Sequence, residues 1–117
     1  MRQCQHQLVS TRGMAERVQA LLGVEAVDLF YAHRLEPGRP VEEVAGEMDE
    51  LVKKGKAKAI GFSEIAPSTL RRAVTSFPVA AVQSEYSLAT RYPELGLCQA
   101  CEELGVALVA FSPVGRT

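Results

Sequence analysis

The chain has 117 residues, of which 47% are apolar and 23% charged, with a formal net charge of -1. That is long enough to bury one core, and too ordinary a composition for a disordered, collagen-like or supercharged chain. The thirteen Lys and Arg are scattered, which argues against nucleic acid as a partner, and no apolar run nears the roughly 20 residues a membrane helix needs. The first seven residues, Met1 to Gln7, hold no apolar segment for export, so a cytoplasmic location is expected. The odd set of Cys4, Cys98 and Cys101 then reads as thiols rather than a disulfide framework. Cys98 and Cys101 form a lone C-x-x-C inside a helical pattern, where core-facing or half-buried thiols are the plainer reading, and no metal site is assigned.

Residues 1–12 read as a loosely ordered lead-in, and 13–117 as the folded domain. Met14, Val18, Leu21 and Leu22 recur at helical spacing before Gly23, which predicts a short amphipathic helix. An apolar, aromatic strand over about Val27 to Ala32 follows and stops abruptly at His33 and Arg34. After Pro37, Gly38 and Pro40 the stripe Val41, Val44, Ala45, Met48, Leu51 and Val52 predicts a second helix. Acidic residues crowd its first turns, and Lys53 and Lys54 stand at its end, matching the helix dipole.

Lys58 to Phe62 reads as a strand of small residues buried on both faces, ending at Ser63. Pro67 suits a helix first turn, with Leu70, Ala73 and Val74 as its stripe and Phe77-Pro78 as its stop. Val79 to Val82 is a third strand, ending before Gln83. A helix over Glu94 to Leu104 stops at Gly105, and the last strand, Val106 to Phe111, ends at Ser112.

Strands alternate with helices at a spacing typical of consecutive parallel βαβ units, whose ligands gather at the carboxyl ends of the strands. The four polar endings at His33, Ser63, Gln83 and Ser112 are therefore expected to face one crevice. A doubly wound sheet would carry a glycine-rich phosphate loop after its first strand, and Pro37-Gly38-Arg39-Pro40 is not one. The expected fold is α/β, a partial (half) TIM-type barrel with about four parallel strands and flanking helices, since a closed barrel of this kind has eight.

Four ordered blocks carry a resemblance. They are Val27-Asp28-Leu29-Phe30-Tyr31-Ala32-His33-Arg34, the run from Leu51-Val52-Lys53-Lys54-Gly55-Lys56 to Ile60-Gly61-Phe62-Ser63, Gln83-Ser84-Glu85-Tyr86-Ser87-Leu88, and Ala110-Phe111-Ser112-Pro113-Val114-Gly115. Together they resemble the aldo-keto reductase family, from the helix before the fourth barrel strand through the seventh strand. The family reduces aldehydes and ketones with NADPH, without metal. The resemblance implies that His33 matches the active-site histidine that orients the substrate carbonyl, and that Ser63 and Gln83 match residues bonding the nicotinamide carboxamide. Phe111 stands where the family stacks a tyrosine on the nicotinamide ring, and Ser112 and Val114 where the chain begins to wrap the cofactor diphosphate.

Two departures shape the expectation. Glu64 replaces the family's usual asparagine and would bring negative charge toward the cofactor. The catalytic tyrosine, lysine and aspartate have no counterpart in this sequence, and Tyr31, internal to its strand, is expected to pack rather than replace them. The reading is a truncated relative of NADP(H)-dependent carbonyl oxidoreductases without full activity as an isolated chain. The alternative is a noncatalytic half-barrel serving assembly or small-ligand binding. Plainer roles compete at single positions: His33 as a strand-end histidine, Gln83 as a polar layer-filler, and Ser63 as a cap for the helix at Pro67. An open four-stranded sheet leaves two edges that invite pairing, so a homodimer or higher assembly is expected.

Overall fold

The computed structural model describes residues 11–35 and 37–115. Four strands, β1 (Val27–Ala32), β2 (Ala57–Ser63), β3 (Ala81–Glu85) and β4 (Ala107–Phe111), form one parallel sheet in the order β1-β2-β3-β4. Helices α1 (Thr11–Leu22), α2 (Val41–Lys53), α3 (Pro67–Ser76) and α4 (Leu97–Leu104) precede or separate them. The fold is thus α/β, a four-stranded part of a TIM-type barrel. The expected lead-in lies mostly outside the described residues, and α1 begins at Thr11.

Successive strand residues point to opposite faces, and parallel partners share a face. On one face, Phe30, Ala32, Ile60, Phe62, Val82 and Leu108 pack against apolar residues of α2, α3 and α4 in a single core. Met48, Ile60, Phe62, Leu70, Val41 and Val82 are its largest fully buried apolar members, while Leu51 packs with Val27 and Ala57 in a smaller cluster. The other face, from Leu29, Tyr31, Gly61, Gln83, Val109 and Phe111, carries no described helix. That one-sidedness distinguishes a barrel segment from a doubly wound sheet, which has helices on both faces.

Ion pairs link neighbouring helices around the outside. Arg72 of α3 holds Glu42 of α2 with two bonds of 2.8 and 2.7 Å, and Arg71 of α3 reaches Glu103 of α4 at 3.1 Å. Lys56, just before β2, reaches Glu16 of α1 at 2.6 Å. All are exposed or half-exposed pairs, so they orient the helices more than they stabilise them.

Two elements differ in their boundaries from the expected ones. The third strand, expected over Val79 to Val82, runs from Ala81 to Glu85, so Gln83 sits inside it rather than after it. The polar run Gln83-Ser84-Glu85 reads as a loop, but its ladder to β4 continues through Ser84↔Ala110 and Glu85↔Phe111. Pairing overrides composition there.

The helix expected from Glu94 is split into a 3-10 helix, Tyr92–Leu95, and α4 from Leu97, with Gly96 (φ 162°, ψ -33°) between them. Gly96 leaves the helical region, which stops continuous i→i−4 bonding. The amphipathic stripe of α1 is also bare at Leu21 and Leu22, which are 86% and 65% exposed. Met14 and Val18 of that stripe lie outside the described side chains.

Candidate functional site

The carboxyl ends of the four strands form a rim around the uncovered, concave face. Ser63 closes β2 and pairs in register with Gln83 of β3, so the two side chains stand on adjacent strands, on the same face, about 4.8 Å apart along the ladder. Ser63 is buried and Gln83 half-buried. His33 follows Ala32, whose partner is Phe62, and therefore ends β1 at the level of Ser63. It is exposed.

Phe111 lies on the same face as Gln83 but further up, since Gln83 pairs with Val109 and Phe111 with Glu85. Ser112 follows in a left-handed conformation at φ 50°, and its carbonyl accepts the Gly115 N–H at 2.9 Å. That turn leaves Val114 89% exposed, lining a groove of about 310 Å³ with Ser87, Leu88 and Pro113. The structure thus brings Ser63 and Gln83 into direct register, sets His33 beside them, and spreads Phe111, Ser112 and Val114 along the β4 side of the rim. Ser63 does not cap α3, whose N-cap is Ala66 with Pro67 at the first helical position.

Below the rim, the Tyr31 ring lies over Gly61. A Cβ at Gly61 would sit 2.7 Å from Tyr31 Cε1, so the glycine is the space the ring occupies. Tyr31 therefore packs, as expected, and burial raises the pKa of its hydroxyl, which favours the neutral phenol. A tyrosine serving as general acid near pH 7 is aided by a shift in the opposite direction.

The structure gives Glu64 two hydrogen-bond donors. Its Oε1 accepts the Glu85 N–H at 2.8 Å, and its Oε2 accepts the Tyr92 hydroxyl at 3.0 Å. Glu64 takes a left-handed φ of 52° and its own N–H donates to Gln83 O at 2.9 Å. The carboxylate is consumed in fastening β2 to β3 and to the 3-10 helix, and its charge is engaged there instead of standing free over the site. No sequence signal marks this, because a positive φ at a non-glycine residue is set by tertiary contacts.

The loop after β3 is held by a second clasp. The Tyr86 hydroxyl donates to Glu94 Oε1 at 2.8 Å, while Arg91 donates to Oε1 at 3.0 Å and Oε2 at 2.7 Å. The Arg91 guanidinium and then the Tyr86 hydroxyl hold the Glu94 carboxyl below its usual range, and the same bond to Glu94 pushes Tyr86 up. These residues border a cleft of about 380 Å³ with Ser87, Leu88 and Pro113.

On the helix side, Cys98 is half-buried and Cys101 buried in the core, where desolvation raises its thiol pKa. Among the described residues no three His, Cys, Asp or Glu side chains are grouped to hold a metal ion, and no helix is long and apolar enough to cross a membrane.

Residues 5–117 match the model of the aldo/keto reductase family. The chain is 48% identical over 95 residues to a probable aldo-keto reductase 1 of Glycine max, covering 81% of this chain and 28% of that protein. It is 49% identical over 98 residues to the aldo-keto reductase str7 of Strobilurus tenacellus, covering 81% of this chain and 29% of that protein. The chain therefore spans less than a third of the length of these curated relatives.

Among solved structures, a thermostable aldo-keto reductase in complex with epalrestat superposes with a TM-score of 0.80 at 34% identity, over 86% of this chain and 38% of that one. The glycerol dehydrogenase of Gluconobacter oxydans gives a TM-score of 0.81 at 27% identity, over 85% of this chain and 30% of that one.

Proposed function

Because the chain belongs to the aldo/keto reductase family, we propose that its strand-end rim is the nicotinamide-facing part of an NADP(H)-dependent carbonyl oxidoreductase site. The observation that carries this reading is the register of Ser63 with Gln83 on the concave face. A carboxamide needs one donor and one acceptor partner, and a primary amide beside a hydroxyl offers both. Phe111, higher on the same face, supplies a flat apolar surface for a ring, and Glu64 is held by Glu85 and Tyr92. When bound, the cofactor supplies hydride.

The residues of this chain then have separate tasks. Ser63 and Gln83 fix the carboxamide, Phe111 covers the ring, and the turn from Ser112 to Val114 borders the phosphate-bearing part. His33 at the rim orients a carbonyl oxygen. Proton delivery is the step these residues lack. Tyr31 packs over Gly61 below the rim and does not supply that step, which favours binding without turnover by this chain alone. The same observation supports the second reading, a noncatalytic half-barrel that binds small ligands or serves assembly.

Fluorescence titration with NADPH is expected to reach saturation by millimolar cofactor, and Gln83→Ala to weaken binding by about three- to tenfold, the equivalent of one hydrogen bond. Carbonyl-dependent NADPH oxidation is expected to stay at background. Absence of binding at millimolar NADPH overturns the oxidoreductase reading and leaves the noncatalytic one.

Self-association belongs to the same proposal. Among the described residues β1 and β4 are edge strands, and a two-fold copy places β4 of each chain beside β1 of the other, both pairs parallel. Four strands from each copy then complete the eight of a closed barrel and cover the concave face. Light scattering at micromolar concentration is expected to give twice the mass of one chain. A well-behaved monomer with the same far-ultraviolet spectrum sinks this part of the proposal.

A further inference from the structure

The β2–β3 ladder is in register up to Ser63↔Gln83, and a regular parallel sheet would continue it with Glu64 opposite Ser84. In that continuation the Glu64 N–H donates to the Gln83 carbonyl, and the Glu64 carbonyl accepts the Glu85 N–H. The first bond is present, at 2.9 Å. The second is made by the side chain: Glu64 has left the strand at a left-handed φ of 52°, and its Oε1 accepts the Glu85 N–H at 2.8 Å. The carboxylate stands in for the carbonyl that the turn takes out of the ladder.

Both bonds bear on the rim. The Gln83 carbonyl is held by the Glu64 N–H, and the Glu85 amide by the carboxylate, so the β3 backbone is fixed to β2 on either side of Ser84. Glu85 is also the register partner of Phe111, whose carbonyl accepts the Tyr86 N–H at 3.3 Å. Glu64 thus grips β3 between the level of the amide side chain and the level of the aromatic ring.

The carboxylate is itself anchored. Its Oε2 accepts the Tyr92 hydroxyl at 3.0 Å, and burial, then this bond, raise the Tyr92 pKa, so the hydroxyl stays protonated and donates. A left-handed backbone is unfavourable for a residue with a Cβ and persists where surrounding contacts impose it. Glycine would make the same turn without strain. What Glu64 adds over glycine is the clasp.

We infer that Glu64 is a positioning residue of the nicotinamide-facing rim, acting through the β3 backbone that carries Gln83 and faces Phe111 rather than by touching the cofactor. This rests on the nicotinamide reading of the rim given above.

NADPH fluorescence titration and amide hydrogen exchange of the isotope-labelled chain test it together. Both are read well below the unfolding transition, where a change in global stability alone leaves the dissociation constant unmoved. Glu64→Gly keeps the turn and removes the clasp. It is expected to weaken NADPH binding about three- to tenfold and to speed exchange of the Glu85 amide about tenfold or more, the equivalent of a hydrogen bond to a charged acceptor. Glu64→Gln keeps an acceptor for Glu85 and a polar partner for Tyr92, and is expected to return both readouts to within about twofold of the parent chain. If Glu64→Gly folds poorly, Tyr92→Phe frees one carboxylate oxygen without altering the turn, and is expected to weaken NADPH about two- to threefold, the lower end for one hydrogen bond.

Unchanged NADPH binding in whichever of Glu64→Gly and Tyr92→Phe folds overturns the inference and leaves the nicotinamide reading in place. So does tighter binding by Glu64→Gln, the result expected of a charge standing over the cofactor. Absence of NADPH binding by the parent chain overturns the nicotinamide reading and this inference with it.

Discussion

Phe62→Ala is expected to destabilise the chain by about 3–5 kcal/mol, the largest effect of any single substitution considered. Phe62 is 0% exposed and is the largest of the fully buried side chains. It belongs to the cluster in which β2 meets α2, α3 and α4, with Met48, Leu70 and Val82 also fully buried. Removing the ring forfeits its transfer free energy and leaves a void that close-packed neighbours only partly fill.

The loss is a large share of the roughly 5–15 kcal/mol that holds a domain together. Urea unfolding followed by far-ultraviolet circular dichroism, at one fixed protein concentration, measures it as a lower midpoint with an unchanged slope. A loss below about 1 kcal/mol, the range of a conservative Ile-to-Val change, would show that this face is not the principal core.

Gly61→Ala is expected to cost about 1–3 kcal/mol, although it adds a single methyl group to the residue next door. The new Cβ would meet Tyr31 Cε1 at 2.7 Å and the Ala81 carbonyl oxygen at 2.8 Å. The first obstacle is a side chain and can move, whereas the second is backbone in the strand paired to Gly61. Combining Gly61→Ala with Tyr31→Leu is therefore expected to recover only part of the loss. Full recovery would assign the whole effect to the ring, and a neutral single substitution would remove the close approach of Tyr31 to β2 altogether. The measurement is the same unfolding midpoint, analysed as a double-mutant cycle.

Phe62 and Gly61 together show how far the sequence could be read. The small, apolar strand at Ile60, Gly61 and Phe62 was legible as buried on both faces, and Ile60 to Ser63 are buried without a break. The stripe of α2 was legible for the same reason: Val41, Val44, Ala45, Met48 and Leu51 repeat at helical spacing and all are buried. Pro67 announced the first turn of α3.

The misread segments are those whose state depends on a partner. Gln83, Ser84 and Glu85 are polar and look like a loop, yet β4 pairs with all three. Nothing local distinguishes that from a loop, since strand preference reflects the neighbouring strand more than the residue itself. Gly96 looked compatible with one long helix, and its φ of 162° breaks it in two.

The candidate site divides in the same way. His33, Ser63 and Ser112 were recognisable as strand ends, Gln83 lies inside β3 instead, and the resemblance of the four blocks agrees with the family match over residues 5–117. Which of them stand together was a matter of register: Ser63 opposite Gln83, Phe111 opposite Glu85. Glu64 is the clearest case. From sequence it is a misplaced charge near a cofactor; in the structure it accepts hydrogen bonds from Glu85 and Tyr92 and ties the rim to the 3-10 helix. Ser84 was one letter in a recognised block, and its complete burial on the helix side of β3 appears only in the structure.

By itself, then, the sequence determined the alternation of strand and helix, the parallel α/β class and the core-facing stripes, because each of these rests on periodicity and local residue chemistry along the chain, and the family through the resemblance of four ordered blocks. The tertiary structure alone decided the strand register, the left-handed turn at Glu64, the ring over Gly61 and the burial of Ser84. Those features depend on atoms from segments 20 or more residues apart meeting within a few ångströms, as Glu64 meets Glu85 across 21 positions, and no local pattern encodes such a meeting.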